Sequence, residues 1–243
     1  MQMRNLNTEY QDNQERKYAY DFDYVVRQYM IRSFLPYFTT GPALELGCFE
    51  GETTCMYAEH FDDLTVIEAA DDLIEIARKR VPPTVKFVHS MIETAELEPI
   101  YDSIFLVHTL EHLDDPVGAL TRIRSWLSPK GRLFLVAPNA NAASRQIAVK
   151  MGLIDSHQAV TPGEHAHGHR RTYSLDTLEL DARRAGLAIE SRGGIFFKSF
   201  ANFQFDLLMK HQVIDQAYLD GCYALGMYYP DLTASIYLVC TRD

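Results

Sequence analysis

The stretch His108-Thr109-Leu110-Glu111-His112 places two imidazoles and a carboxylate close together. Imidazole titrates near neutrality, so either ring can take a proton from a hydroxyl group. His112 is the first candidate for such a base and His108 the second, with Glu111 beside them. The same letters, H-x-x-E-H, occur in zinc proteases, where one long helix aligns both histidines. Here they follow an apolar run that reads as a strand, so that geometry is not expected. Glu111 and His112 could instead only cap the next helix or bond the pocket wall. A second group is His165, His167 and His169, followed by Arg170, Arg171 and Tyr173. Alternating histidines on an extended loop can hold a metal or face a substrate. We expect substrate contact, with His169 and Arg170 pointing inward and the arginine suited to a carboxylate or phosphate.

A different chemistry is written into Glu45-Leu46-Gly47-Cys48-Phe49-Glu50-Gly51. Glycines between a strand and a helix let backbone pass close to a ligand. A dinucleotide fingerprint needs glycine two positions after the first, so that a pyrophosphate can lie on bare backbone. Phe49 occupies that position, and Glu45 and Glu50 would repel phosphate. A phosphate loop fits no better, because no Gly-Lys-Ser/Thr follows. A cationic nucleoside without phosphate suits the acids. S-adenosylmethionine carries a sulfonium and an ammonium, which carboxylates attract. Its ribose needs an acidic partner, and Glu68 stands about twenty residues after Gly47, the interval expected of a ribose-binding acid.

The elements that must position these groups alternate along the chain. Residues 20–35 read as an amphipathic helix ending before Pro36. Strands are expected at 43–47, 64–68, 84–89, 101–107 and 131–137, with helices at 52–61, 71–80 and 116–127 between them. Asp115-Pro116 offers a cap and a first-turn proline, and Gly131 a helix stop. Helix 174–186, strand 187–197, a helical stretch from about 201 to 225 and a last strand at 233–240 follow. Strands such as LTVIEA and RLFLVA are apolar on both faces, which implies a parallel sheet covered on both sides. The fold class is therefore α/β, a doubly wound and mostly parallel seven-stranded sheet with an antiparallel final strand and a helical insertion before it. We expect one domain over 1–243, with a helical cap at 1–36, a cofactor-binding core at 40–140 and substrate-side elements at 141–243. The insertion at about 200–230 is expected to pack on the sheet, with a lid or dimer face as the functional alternative.

The chain has 243 residues and a net charge of −10. An acidic surface disfavours nucleic acid and anionic membranes. No apolar run approaches a membrane span, no secretory leader is visible, and the four cysteines form no CxxC pair. These features suggest a cytoplasmic protein, monomer or homodimer, acting on a small molecule.

Four ordered segments over roughly 40–140 (ELGCFEG, VIEAADDLIEIARKR, DSIFLVHTLEHLDDP and LSPKGRLFLVAPN) resemble the class I S-adenosylmethionine-dependent methyltransferases. The resemblance implies that Gly47, Cys48, Phe49 and Gly51 let backbone approach the methionine part, with Glu45 near its ammonium. It implies that Glu68 holds the ribose hydroxyls, Ala69 touches adenine, and His108 lines the pocket floor. Where family members often carry an aspartate toward adenine, this chain offers Ser90 and Met91. An N-terminal segment covering the cofactor is implied too, through Tyr10, Tyr18 or Tyr20. The fourth-strand segment also resembles the ubiquinone-pathway O-methyltransferases, whose E-x-x-E-H can hold a divalent metal. His108 replaces the first acid here, which leaves three ligand-capable side chains, and whether a metal is used stays open. The expected activity is methyl transfer to oxygen of a small molecule. Transfer to nitrogen or carbon, or cofactor binding without transfer, are the alternatives.

Overall fold

The computed structural model describes residues 17–242. Its seven strands are β1 (Ala43–Leu46), β2 (Leu64–Glu68), β3 (Lys86–His89), β4 (Tyr101–Val107), β5 (Leu127–Pro138), β6 (Leu187–Phe197) and β7 (Thr233–Arg242). They form one sheet in the order β3-β2-β1-β4-β5-β7-β6. The pairs among β1 to β5 are parallel, and β7 runs antiparallel to both β5 and β6. The sheet is the doubly wound one that the apolar strands predict. Its switch point lies between β1 and β4, where the chain reverses its direction of travel across the sheet.

Helices cover both faces. On one side, α4 (Pro116–Trp126) and α7 (Leu175–Arg184) bury Leu120, Trp126 and Leu178 against β4 and β5. On the other, α1 (Asp21–Phe34), α2 (Glu52–Ala58), α8 (Asn202–Lys210) and α9 (Gln216–Tyr228) pack around Phe105, Phe134 and Phe196. The apolar stripe of α1 is why that helix docks: Phe22 stacks on Phe205 of α8 with ring centroids 4.1 Å apart, and Tyr29 on Tyr223 of α9 at 4.8 Å. Such pairs add about 0.5–1.5 kcal/mol each beyond the area they bury. As predicted, Asp115 caps α4 by accepting from the Gly118 amide at 2.9 Å, and Gly186 ends α7 at φ 76°. Among the described residues, no helix is long and apolar enough to cross a membrane.

Several boundaries differ from expectation. Gly131 stops no helix: α4 ends at Trp126 and β5 begins at once, with Gly131 inside it under the Tyr101 carbonyl. The helix expected at 52–61 ends at Ala58. The stretch at 201–225 is two helices, broken where Gln212 adopts φ 54° and Asp215 caps α9 through the Tyr218 amide. Two short helices were not foreseen: α5 (Ala143–Lys150), which buries no residue fully, and α6 (Pro162–Ala166), which turns the first part of the histidine loop helical. Tyr10 lies outside the described residues.

Gly51 is also placed differently. It has φ 84°, and a Cβ there would meet Ala77 and Val81 at 3.0 Å. Its bareness makes room for Ala77 of α3 (Asp71–Arg78) and for Val81 beyond it, and it does not line the cavity. Gly51→Ala is therefore expected to cost stability by about 2–4 kcal/mol, combining a left-handed backbone penalty with overpacking. Urea denaturation reads this directly, and an unchanged midpoint would remove the packing role.

Candidate active site

The carboxyl ends of β1, β2 and β4 open into one cavity of about 270 Å³, walled on its outer side by the start of α1. At one end lies the glycine turn. Gly47 has φ 80°, and a Cβ on it would come within 3.0 Å of Thr109 Oγ1. Phe49 follows at φ 51°, a left-handed conformation that non-glycine residues seldom adopt. Gly47, Cys48 and Phe49 all line the cavity; Gly51 does not.

Glu68 ends β2 and is 9% exposed. One of its oxygens accepts from the Ala69 and Ala70 amides at 2.8 and 3.0 Å, and the other from the Cys48 amide at 3.1 Å. The start of α3 thus holds the carboxylate in place, as helix N-termini do for anions. Ala69, Ser90 and Met91 line the same end. Ser90 Oγ donates to the Met91 carbonyl at 3.1 Å, so the hydroxyl is already engaged.

Glu45, on β1, is 4% exposed. Thr54 Oγ1 donates to it at 2.6 Å. Burial pushes its carboxyl up to about 8, opposed by the Thr54 hydrogen bond and by Arg27, and reinforced by Glu68. Burial, with Glu45 and Glu68 nearby, also pushes the Cys48 thiol up, which removes it as a nucleophile. Arg27 had no signal in the motifs. It reaches the cavity from α1, and its Nη1 donates to Thr53 Oγ1 at 2.7 Å. Its position beside the buried stripe of α1, next to Val26, is the pattern that could have marked it.

The histidines after β4 line the same cavity. His108 forms the floor, at φ 50°, with Nε2 2.9 Å from Ser235 Oγ of β7. Burial first, and then Arg27, lower its ring to about 3, which leaves it a weak base. His112 sits on a single 3₁₀ turn, Leu110–His112, with its ring 4.6 Å from that of His169. Glu111 is 1% exposed, and neither of its oxygens has a hydrogen-bond partner among the described residues. Burial pushes its carboxyl up to about 8, with Glu164 adding to the effect. One donor atom each from Glu111, His112 and His169 lie within 4.8 Å of one another, so these three could hold a metal ion. His108, the residue standing in for a family ligand, is not among them.

The expected pair His169 and Arg170 separates. His169 lines the cavity, but Arg170 is exposed and turns away. Its Nε donates to the His112 carbonyl at 3.0 Å and its guanidinium pairs with Asp114. His167 lines the cavity in its place, buried and edge-on to Tyr18. Tyr18 also stacks on Phe49 at 4.8 Å, so the chain leading into α1 does cover the turn; Tyr20 does not reach the cavity. Lys198 and Asn202, beyond β6, also line the cavity. Sequence periodicity places them only in a helical insertion.

The arrangement suits a ligand with a diol at Glu68, a cation at Glu45 and an anion at Arg27, with proton-accepting groups beyond it. A family model described as a methyltransferase domain matches residues 15–192. The ubiquinone biosynthesis O-methyltransferase of Hydrogenovibrio crunogenus is 27% identical over 188 residues, 75% of this chain and 73% of that protein. Its counterpart from Xanthomonas euvesicatoria is 28% identical over 168 residues, 65% of this chain and 67% of that one. The fold is similar to that of the N-methyltransferase NodS from Bradyrhizobium japonicum bound to S-adenosyl-L-homocysteine, with TM-score 0.58 and 16% identity over 92% of this chain and 88% of that one. With the family match covering well over half of its length, this chain belongs to the methyltransferase domain family and is an S-adenosylmethionine-dependent methyltransferase.

Proposed function

We propose that this protein transfers a methyl group from S-adenosylmethionine to a hydroxyl oxygen of a small molecule, with His112 taking the proton. One observation carries the reading: the His112 and His169 rings, 4.6 Å apart, stand with the buried Glu111 in the cavity that Glu68 also lines. Methyl transfer is an in-line displacement on a carbon already activated by sulfonium, so the protein must mainly align the partners and exclude water. A hydroxyl is a poor nucleophile until its proton leaves, which makes a base at that end useful. Transfer to a neutral amine lacks that need, and the two relatives named for ubiquinone biosynthesis are O-methyltransferases. His108 is set aside as the base because its ring gives up its proton so readily.

Within this reading Glu68 holds the ribose, Glu45 faces the methionyl ammonium, and Arg27 pairs with the methionyl carboxylate. Among the described residues Arg27 is the cation that acts on Glu45, and a carboxylate entering among these acids needs one. His167 and His169 line the acceptor end, where Lys198 adds positive charge.

Three outcomes follow from these roles. Near pH 7 the Glu45 carboxyl is largely protonated, and an arriving ammonium favours its charged form. Binding of S-adenosylhomocysteine is therefore expected to release up to about one proton, seen as an enthalpy that varies with the buffer. Glu45→Gln should abolish that variation. Arg27→Ala should weaken S-adenosylhomocysteine binding by about 10–100-fold, the loss expected for a charge-assisted hydrogen bond. His112→Ala should lower turnover by about 10²–10⁴-fold toward a panel of phenols and catechols while leaving the affinity for S-adenosylhomocysteine intact. Full turnover in that variant would remove His112 as the base.

A further inference from the structure

With His112 read as the base, we propose that Arg145 is a positioning residue for methyl transfer: by gripping the buried Glu164 it folds residues 157–169 into the shape that sets the His169 ring against His112. The helix that carries Arg145 has little core to serve, since α5 buries none of its residues fully. Arg145 itself is the exception in character. Its side chain is only 14% exposed and lies against Glu164, which is 7% exposed.

The guanidinium makes four hydrogen bonds. Nη1 donates to Glu164 Oε1 at 2.8 Å and Nη2 to Oε2 at 3.2 Å, a forked pairing that arginine provides and lysine does not. Nε donates to the His157 carbonyl at 2.6 Å, and Nη2 also donates to the carbonyl of Ala159. One side chain thus holds both an acid within α6 and the backbone that leads into α6. Glu164 carries the grip onward. Its Oε2 accepts from the Thr161 amide at 2.9 Å, and its carbonyl accepts from the His169 amide at 3.0 Å. The loop is therefore tied on both sides of the acid, with His169 at its end.

Behind His169 lies a second cavity of about 10 Å³, lined by Glu111, Arg145, Glu164, His169 and Tyr173 among others. A space of that size holds about one water. Glu111 and His169 line both cavities, so the Arg145–Glu164 pair backs side chains that face the acceptor. A buried ion pair is often no more stabilising than apolar side chains of equal volume, so its worth here lies in geometry. What it fixes is the His169 ring, edge-on to His112 with centroids 4.6 Å apart and planes at 72°. His112 stands on a single 3₁₀ turn, with no longer helix to hold it. A base must keep its nitrogen within reach of the hydroxyl it serves, and a misplacement of about an ångström can cost about 100-fold in rate. The end of the same loop fastens that turn from outside: the Arg170 amide donates to the Glu111 carbonyl at 2.9 Å, and Arg170 Nε to the His112 carbonyl at 3.0 Å.

The test is Arg145→Lys, which keeps the charge and loses the fork. Proton–carbon spectra of the histidine rings, taken with S-adenosylhomocysteine bound, read the loop directly, and nine histidines give few enough signals to assign. The wild-type chain should show a nuclear Overhauser contact between the His112 and His169 rings. Arg145→Lys should lose it, while the His108 signals, fixed by Ser235, stay in place. Turnover toward the panel of phenols and catechols should fall by about 10–100-fold through kcat. The KM for S-adenosylmethionine and the affinity for S-adenosylhomocysteine should be unchanged, which also shows that the variant is folded. In a His169→Ala background Arg145→Lys should cost nothing further, because both act through one ring. Glu164→Gln should give the same losses in smaller measure, and it stands in if the arginine variant fails to bind S-adenosylhomocysteine. Arg192→Lys, the same exchange at an exposed arginine paired with Asp176 and Glu179, should behave as wild type. Absence of the ring contact in the wild-type chain, its survival in Arg145→Lys, unchanged turnover in that variant, or a full additional loss in the His169→Ala background would overturn the proposal. Absence of turnover in the wild-type chain would count against the hydroxyl reading alone, because the ring contact is read without an acceptor.

Discussion

Three carboxyl groups buried in one crevice set the terms for everything else in this structure. Glu45, Glu68 and Glu111 end or follow β1, β2 and β4, and each is nearly shut off from water. A carboxylate in such a place must be met by donors, by a cation or by a proton. The protein answers differently at each. Glu68 receives three backbone amides and stays ready for a diol. Glu45 receives one hydroxyl and the field of Arg27, and keeps a proton that an incoming ammonium can displace. Glu111 receives no hydrogen bond from the described residues. The acids thus run from fully satisfied at β2, through partly satisfied at β1, to unsatisfied after β4.

Parallel strands are what bring these acids together. In a doubly wound sheet the carboxyl ends of neighbouring strands point the same way, and β1 lies between β2 and β4. The turns that follow must bend at once, and they do so with left-handed backbone at Gly47, Phe49 and His108. Two of the three are not glycine. Conformations of that kind persist only where the surroundings hold them, and they gather at functional sites. Here Phe49 is held by the Tyr18 stack and His108 by Ser235.

Much of the nucleoside end was legible in the sequence because it is local. Gly47, Cys48 and Phe49 belong to one turn, and Glu68 stands at a fixed interval from it, so spacing alone identifies them. Gly51 obeyed the same pattern for another reason: its missing side chain makes room for Ala77 and Val81. The acceptor end was less legible because it is assembled from distant segments. His169, Lys198 after β6 and Ser235 on β7 meet only through tertiary packing. Arg170 and His167 exchange the expected roles: His167 lines the cavity and Arg170 turns out to Asp114. The cause is that α6 coils the first half of that loop and Arg170 is drawn to the carbonyl of His112. Periodicity cannot see such a hydrogen bond, since it joins two irregular segments.

The placement of charge carries a last consequence. The acids sit on the rigid sheet, while the fixed cations of the cavity, Arg27 and Lys198, sit on the elements that cover it. The field of Arg27 acts on both Glu45 and His108. It is anchored to Thr53 on α2, and its own helix is fastened to α8 by the Phe22–Phe205 stack and by the Phe22 amide on Asp206 at 2.8 Å. The cover is therefore attached both to the nucleoside turn and to the insertion that borders the acceptor. A ligand that enters the cavity therefore meets acids carried by the rigid sheet and cations carried by its cover, and the contacts that fasten α1 to Thr53 and Asp206 set the distance between the two.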